Sequence, residues 1–120
     1  MEWYQDARSP LADVDFDPHA IYARIMEIGT AWAEAQAAYD LLYETKKILV
    51  AKLKQASGAK SDAAAETAAL SDPAYEEHIQ KLCKASEEAN RLRVQYESLK
   101  VLVDLIRSKA ALKRTEAQIL

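Results

Sequence analysis

The chain has 120 residues, enough for one domain and not two, with 16 basic and 19 acidic side chains and a formal charge of −3. Two glycines and three prolines leave little turn-forming material, and a chain rich in Ala, Leu, Lys and Glu favours long helices. No run reaches the ~18 uncharged apolar residues of a membrane span, and Gly29 and Gly58 alone cannot build a glycine-rich phosphate loop.

The single Cys83 excludes an internal disulfide and suggests a reducing compartment. The opening Met1-Glu2-Trp3-Tyr4-Gln5-Asp6 lacks the basic start and apolar core of a signal peptide. The expected location is therefore cytoplasmic, with no membrane partner. Charge is unevenly spread. Residues 1–20 carry five acids and one base, whereas residues 91–120 carry seven bases and three acids. The C-terminal quarter is a basic element in an acidic protein.

Residues 1–17 read as an irregular, acidic and aromatic arm. Ser9-Pro10 marks a turn or extended step. Trp3, Tyr4, Leu11, Val14 and Phe16 have no helical period. Trp3, Tyr4 and Phe16 are candidate anchors for a protein partner, because Trp and Tyr dominate interface hot spots. Docking on the chain's own helices is the alternative, and so is a disordered Met1 to Arg8.

Asp17-Pro18 signals a helix start: aspartate caps, and proline suits the first helical position. The predicted helix covers 18–56 and is roughly 58 Å long at 1.5 Å per residue. Its apolar stripe runs Ile21, Ile25, Ile28, Trp32, Ala35, Tyr39, Leu42, then Leu49, Leu53 and Ala56. Lys46 stands where an apolar residue belongs, and is expected to snorkel or to pair with a facing acid. Gly29 either allows a close helix approach or is a weak point costing ~1 kcal/mol.

Ser57-Gly58 ends this helix. Ser61-Asp62 opens a short helix, 62–70, expected to cap the tip of a hairpin. Ser71-Asp72-Pro73 repeats the cap-then-proline signal, with Glu76 and Glu77 in the first turn. The last helix, 73–119, carries an unbroken heptad seam: Leu82, Ala85, Ala89, Leu92, Tyr96, Leu99, Val103, Ile106 and Ala110.

The fold class expected is all-α: a long antiparallel two-helix hairpin, coiled-coil-like, with a short helix at the turn. If Ala56 lies near Tyr75, Trp32 meets Leu99 and its neighbours, Lys46 meets Ala85 near Glu87 and Glu88, and Ile25 meets Ile106. The central seam is then Ile25, Trp32, Tyr39, Leu92, Tyr96, Leu99, Val103 and Ile106. Leu41, Ile48, Val50, Val94, Val101, Leu102 and Leu105 fall outside or beside the seams. A lone hairpin would leave them exposed, so two hairpins are expected to form a four-helix-bundle homodimer. A monomer covered by its own arm and short helix is the alternative.

Catalysis has no visible setting, and a two-helix seam is expected to offer no concave pocket of ordinary ligand size. His19 and His78 are the only histidines and fit neither His-Glu-x-x-His nor Glu-x-x-His. Asp13-x-Asp15-x-Asp17 lacks the calcium-loop glycine, and Arg24 stands where the closing glutamate belongs. Cys83, beside Leu82 and Ala85, is expected to be partly buried and inert. A non-enzyme without metal or cofactor is the reading. Arg107, Lys109, Lys113 and Arg114 are the candidate contacts for nucleic acid or an acidic partner. The alternative is neutralisation by Asp13, Asp15, Asp17, Glu27 and Glu34 at the same end.

Ala85-Ser86-Glu87-Glu88-Ala89-Asn90-Arg91-Leu92, Glu97-Ser98-Leu99-Lys100 and Ile106-Arg107-Ser108-Lys109-Ala110, preceded by Ser71-Asp72-Pro73-Ala74-Tyr75, resemble small helical proteins of tailed bacteriophages encoded beside recombination or replication genes. The resemblance covers roughly residues 35–120 and implies an accessory role in phage DNA metabolism, in the host cytosol. It carries over no catalytic residue. The function expected is a protein-binding adaptor or modulator, with direct DNA binding as the alternative.

Overall fold

The computed structural model describes residues 17–119. They form three helices, α1 (Pro18–Ala56), α2 (Asp62–Leu70) and α3 (Pro73–Ile119), and no strand occurs among the described residues. The arm anchors Trp3, Tyr4 and Phe16, and Asp13 and Asp15, lie outside the described residues.

Each helix start is fixed by a short polar side chain. Asp17 Oδ1 accepts from the His19 amide at 3.3 Å. Ser61 Oγ accepts from the Ala64 amide at 3.1 Å, and Asp72 Oδ1 from the Ala74 amide at 2.8 Å. These bonds satisfy amides that have no partner within a helix. Gly58, just past α1, has φ 66, the left-handed conformation that glycine adopts at least cost.

Contacts divide the chain into two compact units. The first unit joins α1 through Trp32 with α3 from Arg91. Its core is Ile28, Leu99 and Leu102, with Ile25, Tyr96 and Ile106 packed against it. Trp32 meets Tyr96 with ring centroids 5.4 Å apart, while Pro18 and Ile21 share a cleft with Ile106 and Arg107. The two helices therefore run antiparallel within this unit. The seam is wider than one residue per turn. Leu102, read from sequence as beside the seam, is 0% exposed. Ala110, read as a seam residue, is exposed, as are all of residues 107–119. The inner seam ends at Ile106.

The second unit contains residues 33–56, α2 and residues 73–90. Here the expected register is corrected. With Lys46 opposite Ala85, Leu42 would face Ala89. Instead His78 Nε2 lies 2.7 Å from the Leu42 carbonyl oxygen, about three turns away along α3. The cause is α2. Lys54 Nζ reaches Asp62 at 2.9 Å, and Ala65 and Ala69 of α2 are buried. So α2 does not merely cap a tip. It begins beside the last turn of α1, where Lys54 reaches Asp62. Lys46 does not face Ala85: its ammonium lies 5.0 Å from the Tyr43 ring centroid, one turn back on α1.

Cys83 is exposed, contrary to the expected partial burial. Its neighbours Leu82 and Ala85 are half-buried, and one residue's step of 100° turns the thiol outward.

Candidate protein-docking cleft and basic face

The first unit's core is Ile28, Leu99 and Leu102. Beyond that core the two helices line a cleft of about 370 Å³. Pro18, Ile21, Tyr22 and Ile25 come from α1; Val103, Ile106 and Arg107 come from α3. Ile21 is buried, whereas Tyr22 is 66% exposed. Arg107 is the one charged residue of the lining among the described residues. Pro18, at the start of α1, and Arg107 of α3 both line the cleft, and α3 continues through residues 108–119. No described residue of α1 lies beyond that point. An apolar cleft with Arg107 at its rim suits an apolar segment bearing an acid or a C-terminal carboxylate.

The four cationic candidates do not form one patch. At 100° per residue, Arg107 and Arg114 share a face, whereas Lys109 and Lys113 share another roughly 100–160° away. Arg107 and Arg114 are instead continuous with Arg93 and Lys100. These four recur every seven residues and all are exposed. Lys100 pairs with Glu97 at 3.7 Å and lies 5.6 Å from the Tyr96 ring centroid. Glu27, one of the acids expected to neutralise these cations, pairs with Arg24 on its own helix at 3.4 Å. The seven-residue spacing was available in the sequence, but grouping cations by proximity in sequence hid it.

The seam residues are distributed over both units. Ile25, Trp32, Leu92, Tyr96, Leu99, Val103 and Ile106 belong to the first unit, and Tyr39 to the second. Leu92 and Leu99 are buried, and the others are half-buried. The cleft itself was missed. Its signal is Tyr22, adjacent to Ile21 in the stripe, together with the length of α3 beyond Ile106.

Among the described residues, no group of three or more His, Cys, Asp or Glu side chains could hold a metal ion, and no helix is long and apolar enough to cross a membrane. No family model matches the chain, and neither a curated protein nor a solved structure does.

Proposed function

We propose that this chain is a non-enzymatic, self-associating adaptor: a long antiparallel hairpin that pairs with a second copy as a four-helix bundle and docks a segment of another protein. On the resemblance of roughly residues 35–120, its setting is phage DNA metabolism or control of a host factor. The apolar cleft lined by Ile21, Tyr22, Ile106 and Arg107 carries this reading. Such a cleft gains binding energy from burial at about 25 cal/mol per Å² of apolar surface. Arg107 supplies orientation.

The test is photo-crosslinking in bacterial cells producing the protein, with a benzophenone amino acid at Tyr22 and, as control, at the exposed Glu44. A discrete heterologous adduct from position 22 alone supports the adaptor. The same adducts from both positions, or none from position 22, contradict it.

Direct DNA binding is the second reading, favoured by the aligned Arg93, Lys100, Arg107 and Arg114. Gel-shift titration with single- and double-stranded DNA at two salt concentrations tests it. No salt-dependent shift at micromolar protein removes it.

A further inference from the structure

α3 carries a second heptad seam, on the face turned away from the first unit's core. The residues Val94, Val101, Leu105, Leu112 and Ile119 are large, apolar and 48–79% exposed. Ser98, Ser108 and Thr115 occupy the positions between them, and steps of four and three residues alternate from Val94 to Ile119. None of the eight positions is charged, although they run through the most basic part of the chain. A heptad seam sustained for nearly four heptads packs against another helix.

The inner seam does not continue past Ile106: its next positions are Ala110, Lys113 and Ala117. The large apolar residues of 108–119, Leu112 and Ile119, sit on the outer seam instead. A helix segment this short, exposed all round, is marginal without tertiary packing. The outer seam is where that packing is provided for.

We propose that the outer seam of α3 is a docking surface for the same seam of a second copy, in antiparallel orientation. This rests on the self-association read above and specifies its face and direction; because the seam faces away from α1, the contact is made by α3 on α3 alone and replaces the four-helix bundle. Centring the two-fold axis between Ile106 and Arg107 pairs Val94 with the second copy's Ile119, and Val101 with its Leu112. Ser98 then meets Thr115, so polar meets polar. Those two hydroxyls already donate within their own helix, Ser98 to the Val94 carbonyl at 2.8 Å and Thr115 to the Ala111 carbonyl at 3.1 Å. Burying them leaves no orphan donor.

Charge selects the direction. Residues 94–106 carry Glu97, Lys100 and Asp104, a net −1; residues 107–119 carry Arg107, Lys109, Lys113, Arg114 and Glu116, a net +3. A parallel pair sets +3 beside +3. The antiparallel pair sets each basic half against the acidic half of the other copy. It also opposes the helix dipoles favourably. Each copy's 108–119 then lies along the part of its neighbour that α1 already supports.

Cysteine pairing tests the proposal, in a Cys83→Ser background of the full chain under mild oxidation. Within one chain, positions 101 and 112 are about 16 Å apart along the helix, too far for a disulfide. Val101→Cys/Leu112→Cys should therefore yield a cross-linked dimer, while Val101→Cys alone should not. Cross-linking of the single variant as efficiently as the double overturns the antiparallel direction; cross-linking of neither overturns the seam. Sedimentation of the wild type and Leu105→Glu separates the two claims. Leu105 is exposed in the single chain, so the variant should keep its helicity, and its dimer dissociation constant should rise about 100-fold or more. A dimer that survives Leu105→Glu overturns the proposed face and leaves self-association standing. A wild-type monomer at all micromolar concentrations overturns both.

Discussion

Trp32 and Tyr96 meet with their ring centroids 5.4 Å apart and their planes tilted by 41°, and the same Tyr96 ring covers Gly29. A Cβ at Gly29 would lie 3.4 Å from Tyr96 Cε2 and 3.7 Å from Cδ2. That is contact without overlap, so the glycine is not required for close approach. Gly29→Ala should stabilise the chain by about 0.5–1 kcal/mol through helix propensity. The melting temperature should rise by roughly 4 °C. A lower melting temperature would show that the Tyr96 ring cannot give way.

The two faces of α3 should respond oppositely to truncation. Leu99 and Leu102 are 1% and 0% exposed. Leu102→Ala should cost about 2–5 kcal/mol, and Leu99→Asp, which buries a charge without a partner, should abolish cooperative unfolding. Leu105→Ala, measured at concentrations where the chain is monomeric, should change stability by no more than about 0.5 kcal/mol. Urea denaturation followed by helicity gives all three values. Equal costs at Leu102 and Leu105 would mean that the inner seam is misplaced.

His78 is half-buried, and its Nε2 lies 2.7 Å from the Leu42 carbonyl, so the ring nitrogen carries the proton and donates. The same carbonyl accepts from the Thr45 hydroxyl at 3.2 Å. His78→Phe keeps ring bulk and removes the bond, and should cost about 1 kcal/mol. An unchanged urea midpoint would remove this contact from the packing of the second unit.

The ammonium of Lys54 is held above its ordinary 10.5, first by its hydrogen bond to Asp62, next by the charge of Asp62, with Glu66 adding to it and burial opposing. A folded value above the unfolded one stabilises the fold below 10.5, and that contribution is lost as pH rises through the folded value. The urea midpoint of the wild type should therefore fall more steeply as pH rises above about 10.5 than that of Lys54→Met. Parallel pH curves for the two proteins would show that the ion pair does not persist in solution.

Much of the helical framework was legible because its signals are local. Asp17-Pro18, Ser61 and Asp72-Pro73 each begin a helix in the structure, and the carboxylate and hydroxyl caps are formed. Leu92 and Leu99 are buried where the heptad placed them. What was not legible depends on facing elements. Leu102 is buried because α3 presents a face two residues wide to α1. The register of the second unit shows in the contact of His78 with the Leu42 carbonyl, which no local signal in the sequence encodes. The outer seam was visible only as scattered flanking residues, because Ser98, Ser108 and Thr115 mask its period.

The central claim is that α3 bears one seam closed within the chain and another closed by a second copy. Hydrogen exchange along α3, measured from nanomolar to high micromolar protein, tests it most directly. The account predicts that amides of residues 96–106 are protected at every concentration. Those of residues 107–119 should exchange quickly in dilute solution and slow as concentration rises. Residues 107–119 exchanging equally fast at all concentrations would contradict the outer seam, and unprotected amides at residues 96–106 would contradict the inner one.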